Sequence, residues 1–323
     1  MEKLIEIKHL TTAFIDEKKR LTTILNNVSL DINKGEILGI VGESGSGKSV
    51  MGKTIMRLIP DPPGKILSGE ILFDDGNILD KTEAEMLKIR GNVISMIFQE
   101  PMTSLNPVYT CGEQIIEAII RHKKLSRNAA KDMAIEMMRQ VGIPLPETRI
   151  NNYPHEMSGG MRQRVIIAMA LSCEPQLLIA DEPTTALDST VQAQILELIE
   201  NIQKNNNMTI FYITHDLGVV AEICDRVIVL YGGRIMEEAM VGELFSSPLH
   251  PYTKGLMKAI PRIDQNVERL YNIQGNVPSF QEMPKGCPFC TRCSDTMNEC
   301  IDTCPELIEI SPGHKVSCWL HKN

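Results

Sequence analysis

A continuous apolar run, ILGIVG (Ile37–Gly42), leads directly into GESGSGKS (Gly42–Ser49), and this junction constrains the fold more than any other stretch. The apolar run predicts a strand buried on both faces, as in a sheet covered by helices. The loop matches the spacing G-x-x-x-x-G-K-[ST]. Its glycines let backbone N–H groups turn inward around a phosphate chain, and the helix that follows presents its positive end to the same group. Lys48 is placed to reach β- and γ-phosphates, and the Ser49 hydroxyl to hold Mg²⁺. Strand, loop and helix in that order predict a nucleotide site built from Gly42, Glu43, Ser44, Gly45, Ser46, Gly47, Lys48, Ser49 and Val50.

A second stretch supports the first. In LLIADEP an apolar strand ends in adjacent carboxylates, Asp181 and Glu182. Neighbouring side chains on a strand point to opposite sides, so the two can hold different roles. Asp181 is expected to bind Mg²⁺ through its water and Glu182 to polarise an attacking water. Alone, two acids at a strand end most often form a solvated turn; beside a phosphate loop they predict a nucleoside triphosphatase.

The rest of the chain fits an α/β architecture. LIEIKHL, NNVSLDINKGE and SGEILFDDGN predict short antiparallel strands and hairpins, while EQIIEAIIRHKK and AAKDMAIEMMRQVG have helical spacing. From Gln163 onward, helix-like and strand-like segments alternate, predicting a parallel sheet with covering helices. Prolines thicken after Pro248, and the expected boundary lies near 250–260. With 33 Lys and Arg against 41 Asp and Glu, the formal charge of −8 argues against general nucleic-acid binding. The longest apolar stretches are about half the length needed to cross a bilayer, and MEKLIEIKHL lacks the apolar centre of a secretory signal, so a soluble cytosolic chain is expected.

HEMSGGMRQRV (His155–Val165) narrows the field, because it resembles the signature sequence of ATP-binding cassette (ABC) proteins, with Met157-Ser158-Gly159-Gly160-Met161 in place of the usual Leu-Ser-Gly-Gly-Gln. Gln99 in ISMIFQEP matches that family's Q-loop, Asp188 in TTALD its D-loop, and His215 in ITHD its switch histidine. The resemblance implies a P-loop NTPase of ABC type, with a RecA-like core, an antiparallel β subdomain and an inserted helical subdomain. The expected nucleotide-binding domain is 1–255, its helical subdomain about 100–162, and a small Cys-rich C-terminal extension follows at 256–323. It also implies two ATPs buried in a head-to-tail dimer, each contacted by Ser158, Gly159 and Gly160 of the opposite subunit. Lys48, Gln99, Glu182 and His215 then carry catalysis, and Mg²⁺ is held through Ser49, Gln99 and Asp181. Phe14 sits where similar proteins stack an aromatic on adenine, and it fits equally as a plain strand residue.

QEPMTSLNPVYT, ITHDLGVVAEICDRVIVLYGGRIME and SSPLHPYTKGLMKAIP resemble one branch, the ATPases of dipeptide, oligopeptide and nickel importers. That branch implies a related second ATPase, two membrane-spanning permeases, an external substrate-binding protein and a peripheral position on the cytoplasmic face of the plasma membrane. Residues just after Gln99, with the segment to about 160, are then expected to receive a permease coupling helix; Met102 and Leu105 could equally be local core. A soluble ABC ATPase acting on nucleic acid or ribosomes is the alternative, as is the same motor serving nickel. The single phosphate loop and the acidic charge weigh against the nucleic-acid reading.

Five cysteines crowd into GCPFCTRCSDTMNECIDTC, residues 286–304, with a sixth at Cys318. In a reducing compartment a metal is the default reading. C-x₂-C-x₂-C spacing superficially matches ferredoxins. The importer branch instead implies a [4Fe–4S] cluster on Cys287, Cys293, Cys300 and Cys318, with Cys290 and Cys304 as extras. A zinc site on these cysteines, with His314 as a candidate ligand, is the competitor.

Overall fold

A computed structural model describes residues 2–74, 76–99, 104–185, 187–259 and 271–322. The chain divides into two compact units, one formed by Met1–Asp80 with Tyr212–Asn323, the other by Lys81–Phe211.

In the first unit, two thirteen-residue strands, Lys3–Ile15 and Leu21–Asn33, pair antiparallel, and Gly64–Phe73 and then Gly76–Asn77 extend the sheet. These strands are longer than the sequence reading expected. Register shifts interrupt the pairing at several points, so the local alternation of apolar residues reads as separate short segments. Ile37–Val41 is buried along its whole length and lies parallel to the equally buried Arg226–Tyr231. Arg234–Met240 returns antiparallel beside the latter.

The C-terminal segment adds two more strands to this edge. His314–Val316 pairs with Arg234–Met240, and Ile308–Ser311 pairs with His314–Val316. The tail also contributes core: Ile273, Cys287, Phe289 and Cys300 pack in one cluster with Val41, Tyr231 and Tyr252. Three aromatic rings meet there, Tyr231 edge-on to Tyr252 at 4.7 Å and to Phe289 at 5.3 Å. The described part of the Cys-rich C-terminal segment thus contributes side chains to the core of the unit that holds the phosphate loop.

Glu237 explains how this edge is fixed. Its fully buried carboxylate accepts from the Leu249 and His250 amides at 2.7 and 2.9 Å and meets His314 Nε2 at 2.8 Å. One acidic side chain thus ties the sheet, the approach to the helix Pro251–Ala259 and the C-terminal strands together.

The second unit pairs Ile94–Ile97 with Leu177–Asp181 in parallel, both wholly buried. The helices Cys111–Lys123, Arg127–Gln140 and Gly159–Leu171 pack on one another. Each starts at a hydroxyl cap: Thr110, Ser126 and Ser158 accept from the amide three residues on. The longest helix among the described residues, Ser189–Asn206, is capped by Asp188, which accepts from Val191 N at 2.9 Å. The strand Thr209–Ile213 runs from this unit into the first. No helix among the described residues is long and apolar enough to cross a membrane.

Candidate functional site

The phosphate loop opens where Ile37–Val41 ends and closes at the helix Lys48–Ile55. Two glycines are dictated by geometry. A Cβ on Gly42 would stand 2.1 Å from the Leu230 carbonyl oxygen, so no side chain fits there. Gly47 holds φ at 104°, a left-handed conformation that glycine adopts without steric cost, and it launches the helix. The Gly233 amide donates to Ser46 O at 3.0 Å and braces the loop from behind. Lys48 is only 5% exposed, and its Nζ donates to the Gly42 and Glu43 carbonyls at 2.8 and 3.1 Å. Its charge is thereby fixed over the loop. The Ser46 hydroxyl is fully buried and finds no hydrogen-bond partner among the described residues, an arrangement that suits an anion's oxygen.

His215 follows the strand Thr209–Ile213 and is exposed. Its predecessor Thr214 donates its amide to Ile40 O at 3.1 Å, which sets this turn beside the strand leading to the phosphate loop. Asp216 then caps the next helix, accepting from Gly218 N at 2.8 Å. Phe14 is a half-buried strand residue opposite Gly64 and Thr22.

In the second unit, Asp181 ends its strand almost fully buried, and Glu182 immediately breaks it with φ at 47°. A left-handed φ on a non-glycine residue is uncommon. The Glu182 carboxylate accepts from Gln99 Nε2 at 3.3 Å and from Thr185 Oγ1 at 3.0 Å. Sequence reasoning named Gln99 and Glu182 separately, 83 positions apart; the structure brings them into contact. Thr185 was not anticipated, although it lies in the same turn.

The signature segment is built differently. Met157 is buried, its sulfur 3.8 Å from Cys111 Sγ, so the residue that departs from the usual leucine serves as the anchor. Ser158 and Gly159 remain exposed at the start of a thirteen-residue helix. Asp188 is likewise exposed. Leu105 is buried, as the core reading expected; Met102 lies outside the described residues.

All nine cysteines are free thiols. Cys287, Cys300 and Cys318 are buried, and Cys290, Cys293 and Cys304 partly so. The Cys287 amide donates to Cys300 O at 2.8 Å, and Thr296 Oγ1 ties the Cys290 and Cys293 carbonyls together. Burial pushes the Cys287 thiol up to about 12, with Cys304, Cys300 and Cys290 adding to the rise. Such thiols stay protonated unless a cation displaces the proton. Among the described residues no group of three or more His, Cys, Asp or Glu side chains is arranged to hold a metal ion, and no chemical step is assigned to one. His314 does not belong with the thiols. Its ring nitrogens meet Glu237 at 2.8 Å and Glu243 at 3.1 Å, so two carboxylates hold it and the expectation that it ligates zinc is corrected.

Comparison with known proteins agrees with this geometry. Residues 25–185 match the ABC transporter family model, and residues 236–300 match that of the oligopeptide/dipeptide transporter C-terminal region. A probable peptide ABC transporter ATP-binding protein of Sinorhizobium fredii is 52% identical, over 98% of this chain and 94% of its own. The oligopeptide transport ATP-binding protein AppD of Bacillus subtilis is 49% identical over 100% and 98%. Its dipeptide counterpart DppD, from the same organism, is 48% identical over 99% and 95%. Among solved structures, the ADP- and phosphate-bound dimer of the cassette MJ0796 superposes with a TM-score of 0.65 at 31% identity, covering 73% of this chain and 98% of that one. The chain belongs to the ATP-binding proteins of the peptide-transporting ABC family.

Proposed function

We propose that this chain, an ABC-type ATPase, powers import of dipeptides or oligopeptides by closing head to tail on a related second ATPase beneath two permeases fed by an external binding protein. One observation carries the reading. The chain holds a buried, side-chain-braced phosphate cradle at Gly42–Ser49 and, separately, an outward-facing signature at Ser158–Gly159. The exposed signature suits a phosphate held by another subunit. Exposed Phe98, Val108 and Tyr109 flank the Q-loop and suit the coupling helix of a permease, in keeping with a peripheral position at the cytoplasmic face of the membrane as part of this proposal.

Each residue then has a defined task. Lys48 and the loop amides bind the β- and γ-phosphates, and Phe14 stacks on the base. Ser49, Gln99 and Asp181 offer the oxygen donors that Mg²⁺ prefers. Mg²⁺, when bound, neutralises charge on the phosphates. Glu182, oriented by Gln99 and Thr185, accepts a proton from the attacking water. His215 donates to the γ-phosphate as charge moves onto it, and Asp188 belongs to the seam with the opposing subunit. The test is uptake of labelled di- and oligopeptides by vesicles containing the reconstituted complex. Uptake that requires ATP and an intact Glu182 supports the assignment; ATP-independent uptake contradicts it.

The [4Fe–4S] ligands Cys287, Cys293, Cys300 and Cys318 form a separate proposal. Its support is the resemblance to the importer branch together with the burial of Cys287, Cys300 and Cys318 and the partial burial of Cys293. Iron and acid-labile sulfide in anaerobically purified protein are expected, retained in Cys290→Ser and Cys304→Ser. Colourless protein carrying zinc or no metal overturns it.

A further inference from the structure

Glu43 is the acidic residue of the phosphate loop, and a carboxylate there opposes the binding of a polyanion. The structure shows what offsets it. Arg292, from the turn between Cys290 and Cys293, grips Glu43 with both arms of its guanidinium: Nη1 to Oε2 at 2.5 Å and Nη2 to Oε1 at 3.1 Å. Nη1 also donates to Tyr231 Oη at 3.2 Å, Nη2 to Ile273 O at 3.3 Å, and Nε to Gln274 O at 3.0 Å. Every one of the five N–H donors of an arginine is thus directed to an acceptor. The Arg292 side chain is 5% exposed, and the guanidinium lies 5.8 Å from the Tyr231 ring centre and 5.9 Å from that of Phe289. A planar fork held in this manner has one orientation available, which a lysine could not reproduce.

The backbone of Glu43 is fixed as well. Its amide donates to Tyr252 Oη at 2.8 Å, removing that N–H from the set facing the phosphates. Tyr252 and Arg292 therefore clamp the second residue of the loop by main chain and side chain respectively.

We propose that Arg292 is a positioning residue of the ATP site: it neutralises the Glu43 carboxylate and turns it away from the phosphates, so that the Cys-rich segment sets the loop's affinity for MgATP. The proposal rests on the reading of Gly42–Ser49 as the phosphate-holding loop. It assigns the segment a role by contact, through Arg292, independent of what the cysteines bind.

The test is equilibrium MgATP binding to the purified full chain, read by displacement of a fluorescent ATP analogue. Arg292→Ala exposes the carboxylate and is expected to raise the dissociation constant about tenfold. Glu43→Gln removes the charge that Arg292 compensates, so the double variant Glu43→Gln/Arg292→Ala is expected to return to within about twofold of Glu43→Gln alone. A purely structural role for Arg292 predicts no such rescue. If Arg292→Ala does not fold, Arg292→Gln keeps amide donors for the Ile273 and Gln274 carbonyls while removing the charge, and it supplies the same comparison. Wild-type affinity in the Arg292 variants, or a double variant as weak as the single one, overturns the proposal. Failure of the wild-type chain to bind MgATP, or undiminished binding in Lys48→Ala, overturns instead the reading of the loop.

Discussion

Two loops in this chain each open a helix with glycine-rich sequence, yet they are finished differently. At Gly42–Ser49 the lysine and Ser46 are buried, and residues far along the chain brace the loop from outside it. At Ser158–Gly160 the preceding Met157 is the buried anchor; the serine caps its own helix, and Ser158 and Gly159 stay exposed. A helix start attracts anions wherever it lies. A dedicated binding site additionally needs converging groups, and only the first loop has them within its own chain. On the proposed reading the second is half of a site, completed by a phosphate that another subunit presents.

Substitutions should break the two loops in different ways. The largest effect is expected at Glu182, the base in the proposed mechanism. Glu182→Gln should lower turnover by about 10²–10³-fold while MgATP binding persists, as steady-state phosphate release and nucleotide binding will show. Next, Lys48→Ala should abolish measurable MgATP binding by the isolated chain, because it removes the buried cation of the cradle. Ser158→Arg should bind MgATP like wild type in the same assay yet lose about tenfold or more in turnover, since a bulky cation obstructs the seam. If Ser158→Arg and Lys48→Ala lose binding equally, the two loops are not complementary halves.

The smallest effect concerns stability near the braced loop. Burial holds His250 down to about 3, and its Nδ1 accepts from the Tyr252 amide at 3.0 Å, which requires the neutral ring. Below its ordinary pKa of 6.5 the unfolded chain takes up a proton that the folded chain excludes, so stability should fall as pH drops through that window. The slope is at most about 1.4 kcal/mol per pH unit. Urea unfolding at several pH values measures it, and His250→Asn, which keeps an acceptor for Tyr252, should flatten the dependence.

What the sequence revealed follows from how local each constraint is. Gly42, Gly47, Lys48 and Ser49 are readable because one short loop imposes their spacing. Asp181 and Glu182 are readable because they terminate an apolar run. The Arg292–Glu43 clamp spans 249 positions, and nothing near either residue marks the pairing. His314 stood beside cysteines in sequence but faces Glu237 and Glu243, carboxylates that the sheet brings to it. The strands at Ile308–Ser311 and His314–Val316 are short and polar, so their place on the sheet edge depends on Glu237 and Glu238 far upstream. Non-local pairing of this kind leaves no periodic trace.

Turnover per molecule at saturating MgATP, followed over a wide range of protein concentration with the related ATPase subunit present or absent, tests the half-site account most directly. It should climb with concentration of chain or partner and collapse in Ser158→Arg. A turnover that stays constant on dilution and survives Ser158→Arg would show that one chain completes the catalytic pocket by itself, contradicting the account.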